Sequence, residues 1–305
     1  MNIVINLNKP ERISSHRAAN DVKRLFAAKK AGHAGTLDPI ATGVLVVCLD
    51  ESTKIARFLS VLDKEYIVRL KLGERTDTYD LTGRIVETRD CLSTEENDIR
   101  GILKTFVGPV KQVPPMYSAV KMGGRPLYKL ARKGIDVERP EREIHIYGID
   151  LISFSRPFID LKVECSKGTY IRTLCNDIGE ALGTGAHMVS LKRTRVGNFR
   201  IEDSESLEKF GRKESACHTM DAVLSHLTEL ILDKDSYDKA KNGMPVTCFH
   251  KSFPLLEKNG NISDKLIVNE YVRLKSPEHV LFGIGRVDVG NVKIERLLNS
   301  SLPKP

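Results

Sequence analysis

The chain opens on an apolar run, Ile3-Val4-Ile5, that reads as a short strand over residues 3–7. Ser14 or Ser15 is then placed to cap a helix reaching about Lys29, with Val22, Leu25 and Phe26 as its apolar stripe. A loop over residues 31–42, punctuated by glycine and proline, leads into an uninterrupted apolar run, Val44 to Leu49, that reads as a buried strand. Residues 52–62 fit a helix, and Tyr66 to Leu72 a strand. Ser93-Thr94-Glu95-Glu96 has the form of a capping box and predicts a helix with Ile99, Ile102, Leu103 and Phe106 facing inward. Strands over 144–154 and 158–165, a helix over 171–182 and a strand near 187–196 follow. Strands and helices mix without a regular βαβ rhythm, so the fold class expected is α+β rather than a doubly wound sheet.

After about residue 225 the pattern changes to short strand candidates at 266–274, 279–287 and 291–296, separated by turn signals such as Lys258-Asn259-Gly260-Asn261. Two domains are therefore expected, a larger one over residues 1–225 and a small, mostly β one over 226–305. The chain shows no internal repeat and no low-complexity tract.

At 305 residues, 41% apolar and 29% charged, the chain has the composition of a folded globular protein with room for a sizeable core. Its net charge of +8 (48 basic minus 40 acidic) favours a polyanionic partner without establishing one. The placement of charge says more. From Lys111 to Gly134 there are six basic residues and no acid, with Met116, Tyr117 and Tyr128 interleaved, and the stretch 186–200 carries Lys192, Arg193, Arg195 and Arg200, again without an acid. Cations neutralise phosphates and aromatic rings stack on bases, which suits RNA, although a solvated loop would look the same in the sequence.

The six cysteines form no CxxC pair and no ligand ladder. Cys48 and Cys165 sit in apolar runs as core residues, and Cys217-His218 lacks the second half of a zinc site, so no metal is expected. The first ten residues have neither the basic region nor the apolar region of an export signal, and no stretch is long enough to span a membrane. The expected compartment is the cytoplasm.

Candidate chemistry concentrates in Gly32-His33-Ala34-Gly35-Thr36-Leu37-Asp38-Pro39. The glycines permit close approach to a ligand, and Pro39 biases Asp38 toward an extended backbone. A lone carboxylate held in a tight loop, with no second acid nearby and no Ser-His-Asp or phosphate-loop spacing, fits covalent or ion-pair chemistry at a sugar carbon better than metal binding. Taken by itself, an Asp-Pro is more often an Asp that caps a turn.

The wider set of motifs narrows this. Gly32 to Gly43 (GHAGTLDPIATG), Lys64-Glu65-Tyr66, Gly73 to Asp80 (GERTDTYD), Pro114 to Lys121 (PPMYSAVK) and Cys165 to Thr173 (CSKGTYIRT) occur in this order, preceded by Lys9-Pro10. Together they resemble the TruB family of tRNA pseudouridine synthases, of the bacterial stand-alone type, from Asn6 to Arg195. The resemblance implies a catalytic domain built on a mixed, mainly antiparallel sheet, an RNA-contacting insertion at about 111–143, and a PUA-like C-terminal domain. The substrate implied is uridine-55 in the T loop of tRNA, flipped out of its stack and isomerised without a cofactor. No membrane and no obligatory protein partner are implied, and a monomer is expected.

By the same resemblance Asp38 is the nucleophile and Arg172 its ion-pair partner. Tyr66 would stack on the target uracil and help move a sugar proton, and Leu191 would form an apolar wall. His33 would fill the space that the flipped base vacates or stack against loop bases. Lys54, Asp80 and Tyr170 fall among the substrate-contacting positions, while Lys121, Arg125, Lys129 and Arg132 would hold the RNA backbone. Tyr79, beside Asp80, departs from the residue types expected there. Three rivals stand against this reading: relatives that modify other RNAs with a guide RNA, a non-catalytic RNA-binding module, and a glycosidase, which would need a paired carboxylic acid.

Overall fold

The computed structural model describes residues 2–118, 120–131, 133–135, 137–209, 216–247, 255–256 and 268–299. Arg132, Cys248 and the expected turn at residues 258–261 lie outside the described residues, as does the side chain of Lys121.

Strand β1 (Ile3–Lys9) is followed by helix α1 (Ser15–Leu25), the short strand β2 (Ala31–His33) and β3 (Thr42–Leu49). Ser14 caps α1 by accepting from the Arg17 amide, but the helix stops four residues short of Lys29. Ala27 takes a positive φ of 49°, which an α-helix cannot accommodate. The buried stripe is therefore Ala18, Ala19 and Val22, with Phe26 packed against the core, and Leu25, expected inward, is exposed.

The expected helix at 52–62 is a 3₁₀ turn (Asp50–Ile55) continued by α2 (Ala56–Ser60). Strand β4 (Lys64–Leu72) leads to the small hairpin β5 (Glu74–Thr76) and β6 (Ile85–Thr88). Helix α3 (Glu96–Thr105) starts two residues later than Ser93 would dictate: Glu95 is the cap, and Asp98 accepts from its amide at 3.0 Å. Thr94 is buried and its carbonyl is tied to Arg156, which holds the segment out of the helix. Ile99 and Leu103 face inward as expected.

Strand β7 (Gly108–Gln112) precedes the hairpin β8 (Lys121–Met122) and β9 (Arg125–Pro126), helix α4 (Leu127–Ala131), and the long pair β10 (Arg142–Ser155) and β11 (Phe158–Cys165). Helix α5 (Ile171–Ala181) and strands β12 (Ala186–Val196), β13 (Phe199–Arg200) and β14 (Cys217–Thr219) complete the main sheet. Its order is β14-β1-β3-β12-β4-β11-β10-β7, antiparallel throughout this path except for the parallel contact of β12 with β3.

Strand β4 shows the alternation that positions the site. Lys64, Tyr66, Val68, Leu70 and Leu72 point to the face covered by α5, while Ile67 and Arg69 face outward. Strand β3 is buried on both faces, which explains its unbroken apolar run. Leu45, Val47 and Leu49 join the core under α1, α3 and α5, and Val44, Val46 and Cys48 join a second core under α2. Burying one such aliphatic side chain contributes about 1.5–3 kcal/mol. Cys48 and Cys165 are core thiols, and burial pushes them up to about 12 and about 11 respectively.

The C-terminal part adds α6 (Met220–Val223), β15 (Thr228–Ile231), α7 (Lys234–Lys241), β16 (Val246–Thr247), β17 (Leu255–Leu256), β18 (Tyr271–Lys275), β19 (Leu281–Asp288) and β20 (Asn291–Leu297). Its strands form a separate sheet in the order β16-β20-β19-β18-β15-β17. The fold is thus α+β, with a mixed main sheet and a separate C-terminal β-sheet. The two sheets are joined through the second core, where Leu281, Ile284 and Leu298 pack with Phe58 and Leu59. An edge-on contact of Tyr271 with Phe58 at 5.0 Å and a buried cluster of Arg273 and Lys275 with Asp221 and Glu229 reinforce the junction.

Candidate active site

Asp38 lies in the bend between β2 and β3, and that bend is fixed by side chains from elsewhere. The fully buried Ser15 hydroxyl accepts from the Leu37 amide at 2.7 Å and donates to the Leu37 carbonyl at 2.9 Å, so both backbone groups of the preceding residue are held. The Lys9 ammonium donates to the carbonyls of Pro10 (2.7 Å), Ile13 (2.8 Å) and Pro39 (3.4 Å). Burial brings Lys9 down to about 8, against a counteracting pull from Asp38. Gly43, at the start of β3, has φ +100°, and a Cβ there would fall 2.2 Å from the Arg193 carbonyl oxygen. Only glycine lets β3 approach β12 so closely.

Arg172 stands in the first turn of α5, and its guanidinium meets Asp38 in a two-point contact: Nε to Oδ2 at 2.9 Å and Nη2 to Oδ1 at 3.2 Å. The other edge of the fork reaches Asp80 Oδ2 at 3.4 Å, and Nη2 also donates to the Tyr117 carbonyl at 2.8 Å. A cation in the first turn of a helix opposes the helix dipole. Here two carboxylates offset it, where the helix itself has no acid in that turn. The helix start is held by Gln112, whose amide accepts from Tyr170 N at 2.7 Å and donates to Tyr170 O at 3.1 Å.

Asp80 is saturated as an acceptor. Its Oδ1 receives the Thr78 hydroxyl (2.8 Å), the Thr82 hydroxyl (2.6 Å) and the Thr82 amide (2.9 Å). Such surroundings suit a carboxylate that holds Arg172, not an acid that delivers a proton. Asp38 differs, being the partly exposed member of the trio. Burial in the cleft raises its pKa, Arg172 pulls it back, and Asp80 adds to the rise.

Two openings meet at Asp38. A cleft of about 1050 Å³ is lined by His16, His33, Asp80, Tyr117 and Tyr128. A narrower cavity of about 270 Å³ is lined by Lys64, Tyr66, Tyr170, Leu191 and Arg193, and Asp38 and Arg172 line both. Tyr66 and Leu191 project from adjacent strands, β4 and β12, with Tyr66 opposite Arg193 and Leu191 opposite Val68 in the register. Burial raises the Tyr66 hydroxyl and Arg193 opposes the rise. His33 is lowered by burial, then by Arg193 and His16, and its Nδ1 has no hydrogen-bond partner among the described residues.

The structure therefore brings together Asp38, Arg172, Tyr66, Asp80, Tyr170, Leu191 and His33. It does not bring Lys54 to them. The Lys54 ammonium pairs with Glu51 at 2.7 Å and donates to the Leu297 carbonyl at 3.1 Å, so it belongs to the contact with the C-terminal sheet. Arg125 and Lys129 are exposed on the β8–β9 hairpin and α4, and the adjoining Tyr128 lines the larger cleft. Ser15, Gln112 and Arg193 carry no motif that would mark them as site residues. Arg193 is wholly buried, donating from Nε to Val44 O at 2.7 Å and from Nη2 to Gly35 O at 3.1 Å, which ties β12 to the Asp38 loop. Among the described residues there is no cluster of three His, Cys, Asp or Glu side chains fit to hold a metal.

Sequence comparison decides the family. Residues 23–171 match the TruB family pseudouridylate synthase N-terminal domain, and residues 172–237 match the tRNA pseudouridylate synthase B C-terminal domain. The chain belongs to the TruB family. As a member it is an isomerase, a pseudouridine synthase. The chain is 42% identical to the tRNA pseudouridine synthase B of Clostridium tetani over 300 residues, covering 98% of this chain and 100% of that one. To the tRNA pseudouridine synthase B of Haemophilus influenzae (strain PittEE) it is 40% identical, over 97% of this chain and 94% of that one. Among solved structures, a Cbf5-Nop10-Gar1 complex contains a chain similar to this one, with a TM-score of 0.74 and 25% identity over 97% of this chain and 84% of that chain.

Proposed function

We propose that the chain isomerises uridine-55 in the T loop of tRNA to pseudouridine, with Asp38 as the nucleophile. One observation carries this reading. A partly exposed carboxylate, in a loop held by Ser15 and Lys9 and gripped at two points by Arg172, stands where an open cleft meets a smaller cavity walled by Tyr66 and Leu191. The relatives' names supply the substrate class.

The target base is stacked within folded RNA and has to leave the stack to reach the narrow cavity. There Tyr66 stacks on the uracil against Leu191, and Asp38 traps the sugar or the base while the N1–C1′ bond breaks. The uracil turns and rejoins C1′ through C5. C5 loses a proton and N1 gains one, so the product is an isomer of the substrate and no group is added. His33, on the larger cleft, fills the space vacated in the loop, and its flat, neutral ring suits stacking. Arg125 and Lys129, with Lys121 and Arg132 in the same insertion, hold phosphates. The reaction as written uses no cofactor.

The division near residue 225 is supported by the change of sheet between β14, paired with β1, and β15, paired with β18. The C-terminal sheet is read as a PUA-like RNA-binding domain. The enzyme is read as a cytoplasmic monomer acting without a partner protein. No helix among the described residues is long and apolar enough to cross a membrane.

Incubating the protein with unmodified tRNA transcripts and mapping pseudouridine by chemical labelling tests the reading. Label at position 55 alone is expected. Label elsewhere with none at 55 overturns the assignment of site, and no label overturns the function. A glycosidase would release free uracil in the same assay. Asp80, filled by three donors and Arg172, is not placed to be the acid that rival needs.

A further inference from the structure

Behind the active site lies a third cavity, of about 380 Å³, that the isomerisation does not use. It is lined by Tyr79, Lys111, Val113, Arg139, Thr173 and Asp177. Two pairs of consecutive residues straddle the wall between it and the active site. Asp80 and Arg172 face Asp38, while their chain neighbours Tyr79 and Thr173 face the third cavity. Its volume falls within the range of small-ligand pockets, about 300–1,000 Å³.

The groups around it are complementary to a nucleotide. Tyr79 adopts a left-handed backbone, with φ 61°, at which a bulky side chain is rare and strained. An aromatic residue kept in that conformation in the lining of a cavity is suited to stacking on a base. Lys111 is exposed, 4.0 Å from Glu141, and Arg139 donates from Nη1 to the Pro114 carbonyl, so two cations lie at the rim. Thr173 is 4% exposed, and its hydroxyl has no hydrogen-bond partner among the described residues. Asp177 is partly buried, and the hydrogen bond it accepts among the described residues is a long one, 3.3 Å, from the neighbouring Asn176 amide. Its pKa is raised by burial, which is the state of a carboxylate short of donors.

We propose that this cavity is a second nucleotide pocket, in which an unstacked guanine of the RNA substrate stacks on Tyr79 and presents its Watson–Crick edge to Asp177, with its phosphate at Lys111 and Arg139. The proposal rests on the chain acting on RNA. Guanine follows from the chemistry of the acceptor. A carboxylate needs donors, and guanine alone places two adjacent ones, N1–H and N2–H, on that edge. Adenine and cytosine each set a ring-nitrogen acceptor beside their single amino group, and uracil flanks N3–H with two carbonyls.

Titrating the full-length protein with GMP, AMP, CMP and UMP tests the pocket without turnover, so its outcome is independent of whether pseudouridine forms. GMP is expected to bind at least about ten-fold tighter than the other three, since a site built to satisfy buried acceptors rejects ligands that lack the donors. Asp177→Asn should abolish the preference, and Tyr79→Asn, which tolerates the left-handed backbone, should weaken GMP by about ten-fold because the stacking face is gone. Photocrosslinking of 6-thio-GMP to the wild-type protein, mapped by mass spectrometry, provides a measurement that needs no variant. A crosslink at Tyr79 supports the pocket. Equal binding of the four nucleotides, unchanged affinity in both variants, or a crosslink confined to the Asp38 cleft overturns it.

Discussion

Arg172 meets Asp38 through two parallel contacts, Nε to Oδ2 at 2.9 Å and Nη2 to Oδ1 at 3.2 Å, while its remaining nitrogen is turned to Asp80. The planar fork fixes the carboxylate in orientation as well as charge. Asp80 in turn fixes the fork, because its other oxygen is filled by Thr78 and Thr82. Asp38 is thus the most exposed member of this chain of contacts, with Arg172 and Asp80 both buried behind it.

Asp38→Asn keeps the shape of the side chain and removes its charge. Pseudouridine formation should fall to the uncatalysed level while tRNA affinity stays within about two-fold, because phosphate contacts carry most of RNA affinity. Activity and filter-binding assays on the same preparation check this. An active Asp38→Asn enzyme would remove Asp38 from the role of nucleophile.

Arg172→Ala separates ion pairing from RNA contact. As the proposed nucleophile Asp38 must be ionised to act, so the rate is expected to fall as pH drops through its pKa, which burial already holds above the ordinary carboxylate value. Arg172 pulls that pKa down, so removing the cation raises it further. The acid limb should therefore move to higher pH, with partial recovery of rate as pH rises, and Arg172→Lys should restore only part of the rate. Single-turnover rates at saturating tRNA across pH provide the measurement. A near wild-type rate in the Ala variant would leave the pair without a catalytic role.

How much of this is legible in the sequence depends on how far apart the interacting residues lie. Strand β4 and the apolar run of β3 follow from periodicity alone, since a buried face imposes its own pattern. The end of α1 does not, because Ala27 turns left-handed where nothing in its side chain demands it. The start of α3 is displaced by Arg156, a residue 62 positions away that holds the Thr94 carbonyl. In the site, the motif containing Asp38 is readable, and so is the one containing Arg172. Arg193 is not, because its partners are the backbone carbonyls of Val44 and Gly35, which have no sequence signature. In the sequence it looks like one more cation in a basic run. Lys54 errs in the other direction: a matching position is turned to the C-terminal sheet by Glu51 and Leu297.

Replacing Lys121, Arg125, Lys129 and Arg132 with Ala should weaken tRNA binding and flatten its salt dependence. Removing one phosphate neutralisation lowers the slope of log K against log salt by about 0.7–0.9. Removing four would take away about three units, readable from binding between about 50 and 200 mM salt. An unchanged slope would mean that this segment does not touch the RNA backbone.

The last prediction concerns Lys64, which lies beneath Tyr66 in the narrow cavity. Its ammonium is buried and donates to the carbonyls of Ser60, at 2.7 Å, and Leu62. Burial, with Arg193 adding to it, lowers its pKa from 10.5 to about 8. The sign of the consequence follows from which state holds the proton. Between about pH 8 and 10.5 the unfolded chain keeps a proton that the folded chain has given up, so this residue makes stability rise with pH across that window. Below pH 8 both states are protonated and the cost of burying the charge is constant. Lys64→Met removes that cost and also the two hydrogen bonds, and the second effect does not vary with pH. The stability of the variant relative to wild type should therefore be greatest at about pH 8 and below, and decline by up to about 1.4 kcal/mol per pH unit within the window. Buried thiols and tyrosines titrate in the same range but are common to both proteins, so they cancel in the difference. Urea unfolding of the pair from about pH 7 to 10.5 measures it. A difference that does not change with pH would show that Lys64 keeps its ordinary pKa and that the floor of the cavity is wet.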